Sequence, residues 1–193
     1  MQQRFRQQFE ASIAAKQAAL AQMLPALGRG AQLLIEALRA DHKLLVCGNG
    51  GSAADAQHFA AELSCRFERE RPGLPALALT VDTSTLTAIG NDYSFEQLFA
   101  RQVQALGRRG DVLLAISTSG NSPNVLKAIE VAQAQQMPVL AFTGRDGGQI
   151  ARQLRESDVE LRVPSRVTAR IQEVHILLLH CLCDAIDQSL FPQ

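Results

Sequence analysis

Apolar positions recur along this chain in two alternating rhythms. Short apolar runs at 43–47, 76–79, 111–116, 138–142 and 159–163 read as strands, and helical spacing fills 53–67, 83–89, 95–106, 124–135, 150–154 and 167–190. Ahead of the first strand, residues 4–24 place Phe5, Phe9, Ile13, Leu20 and Leu24 near one helical face. A second helix over 26–40 carries Leu27, Leu33, Leu34, Ile35 and Leu38, and Pro25 ends or kinks the first. The predicted fold is α/β: one domain over residues 1–193, with a five-stranded parallel sheet, helices on both faces, and an extra N-terminal helical pair. A crossover needs no such pair. Residues 1–40 are therefore expected to pack against another subunit or to cover the domain's own sheet.

The last helix is apolar nearly all round from Val174 to Cys183, and such a helix is buried on most sides. It needs a second cover besides the sheet, which predicts a subunit interface. His180 sits inside this run. Gln172 and His180 lie about 80° apart around the axis, with Ile176 between them, so they can face one cavity from successive turns. On the earlier helix, His58 and Glu62 are four residues apart and share a face. Glu62 lies among Phe59, Ala60, Ala61 and Leu63, where desolvation would raise a carboxylate pKa and suit a general base. A solvated i,i+4 pair is the alternative, and for His180 the alternative is a core histidine bonded to a backbone carbonyl. Two histidines, a carboxylate and an amide oxygen also form a donor set for a divalent metal.

Two strand-to-helix turns carry further chemistry. The strand over 111–116 stops at Ser117-Thr118-Ser119-Gly120-Asn121-Ser122, and a helix then begins at Pro123. Orphan N–H groups and the positive end of the helix dipole make that turn an anion site, served by hydroxyls and backbone amides because no lysine or arginine lies between Asp111 and Val125. An ordinary N-cap would need Ser122 alone. The first strand runs into Gly48-Asn49-Gly50-Gly51-Ser52, whose glycines permit close approach of backbone to ligand. It is neither a Walker loop nor the dinucleotide fingerprint. In an open parallel sheet both turns fall at the carboxyl ends of strands, where ligands bind.

Composition narrows the classes. Apolar residues make up 47% and charged residues 20%, with formal net charge zero, no tryptophan and one tyrosine. This balance points away from nucleic acid and anionic membranes as partners. No apolar run reaches membrane-span length and the first residues lack a signal-peptide core, so a cytoplasmic location is expected. Cys47, Cys65, Cys181 and Cys183 form no Cys-x-x-Cys pair and read as buried thiols.

In order along the chain, the Gly48–Ser52 turn, Asn91-Asp92, the Ser117–Ser122 turn, Thr143-Gly144 with Asp146-Gly147-Gly148, and Arg170-Ile171-Gln172-Glu173 with His175 resemble the motifs of the sugar isomerase (SIS) domain family. The resemblance covers essentially the whole chain. It implies a homotetramer with sites built at subunit contacts. In the branch it most resembles, it implies an aldose–ketose isomerase that converts sedoheptulose 7-phosphate to D-glycero-D-manno-heptose 7-phosphate through an enediol. That reaction is the first step toward the ADP-heptose of lipopolysaccharide core. By matching motif, Ser117, Thr118, Ser119 and Ser122 bind the phosphate. Asn49, Gly50, Gly51 and Ser52 line the sugar site, with Asn91, Asp92 and Gln172 contributing to substrate binding. Glu62 matches the general base and His180 its acid/base partner. His58, Glu62, Gln172 and His180 match zinc ligands found in some members, one zinc per subunit. Arg66 and Asp92 are candidates for selecting the heptulose. The alternative within the family is a non-catalytic tetramer that binds the replication initiator DnaA, which the tail over 181–192 and the first four residues resemble. That relative lacks an acid at the position of Glu62 and a histidine at that of His180, and Gly51 and Ser119 also follow the isomerase pattern. A transcriptional regulator would need an added helix-turn-helix domain, for which no segment here is long enough.

Overall fold

The computed structural model describes residues 1–192. In chain order the elements are α1 (Gln2–Arg39), β1 (Leu44–Gly48), α2 (Gly51–Ser64), β2 (Ala76–Ala78), α3 (Thr83–Asp92), a 3-10 turn (Phe95–Gln97), α4 (Leu98–Leu106), β3 (Val112–Ile116), α5 (Pro123–Ala134), β4 (Val139–Gly144), α6 (Gly148–Gln153), β5 (Val159–Val163) and α7 (Thr168–Leu190). The five strands are all parallel, in the order β2-β1-β3-β4-β5. The α/β fold and the five-stranded parallel sheet are thus as the hydrophobic rhythm predicts.

Alternating strand residues feed two cores. Leu44, Val46, Val112, Leu114, Ile116, Leu140 and Phe142 face one way, under α1, α2 and α7. Leu45, Cys47, Leu113, Ala115, Val139 and Ala141 face the other way, under α3, α4, α5 and α6. The chain leaves β1 for α2 on the first face and leaves β3 for α5 on the second. The adjacent carboxyl ends of β1 and β3, paired in register up to Gly48 and Ile116, therefore flank a topological switch point, where a crevice opens.

The expected N-terminal helical pair is a single helix. α1 runs through Pro25. Proline removes the N–H that would bond the Ala21 carbonyl, a loss of roughly 3 kcal/mol in a helix interior. Here Ala21 and Pro25 are both exposed, so water can take that carbonyl, and the flanking residues Met23, Leu34, Ile35 and Leu38 are anchored in the core. α1 packs along α7 from Gln8 beside Arg170 to Arg39 beside Ser189, and its second half covers the domain's own sheet beside β5. That supplies, within the chain, much of the second cover that α7 requires. The first half keeps an apolar stripe in solvent, with Phe9 72% and Leu20 63% exposed and Phe5, Ile13 and Leu24 beside them. Two smaller expectations also change. The helix expected over 83–89 continues to Asp92 as α3, and Cys65 and Cys181 are exposed while Cys47 and Cys183 are buried.

Candidate active site

The Gly48–Ser52 turn is built by its glycines. A methyl group on Gly48 would overlap the backbone of Ser52, and Gly50 sits at φ 57, so the chain can reverse and enter α2 within two residues. Ser52 and Ala53 donate their amides back to the Asn49 and Gly50 carbonyls at 3.0 Å. Asn49 exchanges two side-chain hydrogen bonds with Asn124, each 2.8 Å, and Asn124 is buried in the first turn of α5. This reciprocal amide pair ties the β1 turn to the helix that follows β3. Asn124 was not among the residues singled out from the sequence, since an asparagine just inside a helix carries no distinctive signal.

At the β3 turn Ser122 is the N-cap and Pro123 the first helical residue, yet Ser122 makes no side-chain cap bond. Its hydroxyl lies 2.8 Å from the buried Ser117 hydroxyl instead. Thr118 and Ser119 are half-buried beside them. The Ser119 hydroxyl accepts the Asn121 amide at 3.2 Å. Gly120, at φ 67, lies directly against the Gly147 carbonyl, so this hydroxyl-rich turn leans on the turn after β4. Hydroxyls freed from capping, an open helix N-terminus and a rigid backbone suit an anion such as a phosphate.

On the other face, α2 and α7 bring histidines and a carboxylate together. His58 Nε2 lies 2.9 Å from His180 Nε2 and 3.5 Å from Glu62 Oε1. Phe67 stacks on the His180 ring, with centroids 5.6 Å apart. Glu62 is half-buried rather than fully solvated. Gln172 packs against Gly51, whose lack of a side chain makes room for the amide. His58, Glu62, Gln172 and His180 therefore line the seam between α2 and α7, next to the Gly48–Ser52 turn. The core-histidine description fits His175 and not His180. His175 is fully buried, its Nε2 is 2.9 Å from the Thr143 carbonyl oxygen, and burial pushes its pKa down to about 4. Cys183, close to Glu62, is a neutral thiol with its pKa pushed up to about 12, chiefly by burial. Asp55, one turn before His58, is raised above the usual carboxylate range by burial, partly offset by His58.

Asn91 and Asp92 close α3 with both side chains exposed and bonded to each other at 2.7 Å. Arg66 is exposed and paired with Glu70 at 3.6 Å. A residue that the sequence hid is Arg71. Within the charged stretch 66–73 it reads as solvated, yet its guanidinium is buried against Asp187. The clue was Asp187 itself, an acid that helical spacing sets on the apolar face of α7 with Leu179, Cys183 and Ile186, which calls for a cationic partner.

The donor types suit zinc: two imidazoles, a carboxylate and an amide oxygen. Separations of 2.9 and 3.5 Å bracket the ~3.3 Å edge of a tetrahedron with zinc bonds of ~2.0 Å. Among the described residues no three His, Cys, Asp or Glu side chains are already assembled around one point. The fit is thus one of donor type and spacing.

Comparison with known proteins gives the family. The SIS domain family model matches residues 8–144. The phosphoheptose isomerase of Shewanella loihica is 56% identical over 193 residues, covering 100% of this chain and 98% of that protein. The solved phosphoheptose isomerase from Neisseria gonorrhoeae superposes with a TM-score of 0.93 at 55% identity, over 97% of this chain and 98% of its own. The one from Francisella tularensis gives 0.94 at 49% identity, over 96% and 97%.

Proposed function

The chain belongs to the SIS domain family and, within it, to the phosphoheptose isomerases, and from that premise we propose how its own residues bind and isomerise sedoheptulose 7-phosphate to D-glycero-D-manno-heptose 7-phosphate. It is an aldose–ketose isomerase. Because the relatives carry the enzyme's name over the full chain, the non-catalytic DnaA-binding alternative is set aside.

The observation that carries the mechanism is the meeting of Glu62, His58 and His180 across the α2–α7 seam. The Ser117, Thr118, Ser119 and Ser122 hydroxyls, with the α5 N-terminus, hold the phosphate. Asn49, Gly50, Gly51, Ser52 and Gln172 line the sugar, with Asn91 and Asp92 assigned to substrate from the family motif. Isomerisation moves one proton between neighbouring carbons and one between their oxygens. Glu62 takes the proton from the carbon next to the carbonyl, giving a cis-enediol, and returns it to the other carbon. His180 gives a proton to the carbonyl oxygen and takes one from the adjacent hydroxyl. His58 holds the His180 ring in place through the Nε2 contact. His58, Glu62, Gln172 and His180 would hold one zinc ion, which when bound supplies Lewis acidity toward substrate oxygens. Glu62 acts as base when its carboxylate is free of the metal.

The assembly is a homotetramer in the cytoplasm, with one SIS unit spanning residues 1–193. The exposed stripe Phe5-Phe9-Ile13-Leu20-Leu24 supports use of the front of α1 in the subunit contact. No helix among the described residues is long and apolar enough to cross a membrane. The deciding experiment is turnover of sedoheptulose 7-phosphate by the purified chain, with and without chelator, beside Glu62→Gln and His180→Ala. Both substitutions are expected to abolish turnover, and zinc is expected to restore a chelated sample. Wild-type turnover in either variant would overturn its assigned role.

A further inference from the structure

The guanidinium of Arg71 is almost entirely enclosed, and so is its partner: their side chains are 1% and 2% exposed. Its Nε donates to Asp187 Oδ1 on α7 at 2.9 Å. Its Nη2 donates to the backbone carbonyl of Glu62 at 2.8 Å. Its Nη1 donates to the carbonyls of Leu63 at 2.6 Å, Pro72 at 3.1 Å and Cys65 at 3.4 Å. One cation thus closes the C-terminal end of α2, where carbonyls lack helical partners and the dipole is negative, and bonds the same group to α7. A buried ion pair is weak evidence for stability, because apolar residues of equal volume often serve as well. Asp187 Oδ2 is itself buried with no hydrogen-bond partner, so the carboxylate is not optimised as a structural salt bridge. The place of the pair gives it a different use. α2 carries His58 and Glu62, α7 carries Gln172 and His180, and Asp187 lies two turns beyond His180. The cation grips the backbone of Glu62 itself.

We propose that Arg71 and Asp187 are positioning residues: a buried clamp that fixes the register of α2 against α7 and so the reach between Glu62 and His180. This rests on the roles given to Glu62 and His180 above. Guanidinium geometry matters because a planar fork holds two helices in one orientation, which a single-point contact between apolar side chains does not. A sub-ångström slip along the seam lowers the chemical step, while the phosphate turn, built between β3 and α5, keeps its grip on substrate.

The test measures kcat and KM for sedoheptulose 7-phosphate in the full chain, with thermal unfolding and circular dichroism on the same samples. Arg71→Met/Asp187→Leu removes both charges together and leaves no unpaired buried ion. Asp187→Asn keeps the shape and one bond to Arg71 while deleting the charge, and it decides alone if the double variant does not fold. In folded protein, kcat is expected to fall tenfold or more with KM within twofold of wild type. Wild-type kcat in a folded variant, or a loss confined to KM, overturns the proposal. Glu62→Gln run alongside separates the two levels. If Glu62→Gln turns over normally, the reading of the site falls and the clamp falls with it. If Glu62→Gln is dead while folded clamp variants keep wild-type kcat, the clamp alone falls.

Discussion

Gly51 opens α2, and alanine there would test whether Gln172 must stay where it is. An ideal Cβ on Gly51 lies 2.5 Å from Gln172 Nε2, 3.1 Å from Cδ and 3.4 Å from Oε1. The left-handed residue of this turn is Gly50 and not Gly51, so alanine at 51 meets no backbone strain. In the first turn of a helix it gains rather than loses propensity, by up to ~1 kcal/mol. The clash must then be relieved by the amide. Ordinary contact begins near 3.4 Å, so Nε2 has to retreat by roughly 0.9 Å. Misplacing a reacting or positioning group by ~1 Å can cost ~100-fold in rate. Gly51→Ala is therefore expected to unfold at or above the wild-type temperature while kcat falls on the order of 100-fold. Initial rates on sedoheptulose 7-phosphate, paired with thermal unfolding, read both quantities. Gln172→Ala and the double variant trace the route: if the loss passes through Gln172, the double is no slower than Gln172→Ala alone. A folded Gly51→Ala enzyme with wild-type kcat would refute the reasoning. A double variant far slower than Gln172→Ala would put the damage on the substrate instead.

Gly120→Ala should behave in the opposite way, because left-handed backbone and a clash with the Gly147 carbonyl leave nothing flexible to give. A loss of about 3 kcal/mol in urea unfolding is expected, and an unchanged midpoint would contradict it. His175 is held neutral with its pKa near 4, against an ordinary 6.5. Above pH 6.5 it contributes nothing to pH dependence. Between 6.5 and 4 the unfolded chain takes up a proton that the native state refuses, so stability falls with falling pH by ~1.4 kcal/mol per unit, roughly 3 kcal/mol in all. His175→Gln should flatten that limb of the stability curve, and an identical pH profile would count against the assignment. Phe9→Glu/Leu20→Glu places charges on the exposed stripe of α1. It should lower the sedimentation mass while leaving helical dichroism intact, and an unaltered mass would remove the stripe from the subunit contact.

Much of the fold was legible because its signals are local. Each strand is a short apolar run bounded by turn residues, and each crossover has helical spacing, so element order and the parallel sheet followed directly. Pro25 misled because the rule against proline inside helices concerns an unpaired carbonyl, and here that carbonyl faces water. Spacing placed His58 with Glu62 and Gln172 with His180, one pair per helix. That the two helices meet with the histidine nitrogens 2.9 Å apart is tertiary information that no periodicity contains. Arg71 and Asn124 escaped for the same reason. Their partners lie 116 and 75 residues away, and neither residue type is unusual where it stands. The two glycine-bearing turns were legible as strand-to-helix turns after β1 and β3, whereas the hydroxyl of Ser122 turning toward Ser117 was not.

Under the proposed mechanism, the two cores on opposite faces of the sheet divide the labour of the site. The phosphate turn feeds α5, which is anchored in one core, while Glu62 and His180 ride on α2 and α7, anchored in the other. The Asn49–Asn124 amide pair is a bridge between these two packing units. Affinity for the anion and speed of proton transfer can therefore drift separately. Repacking Val125 or Ile129 would tune one, repacking Phe59 or Leu179 the other, and substitutions drawn from opposite cores should combine near-additively. A sequence can then wander toward a longer or shorter sugar phosphate, or toward a slower turnover, without remaking the other half of the machine.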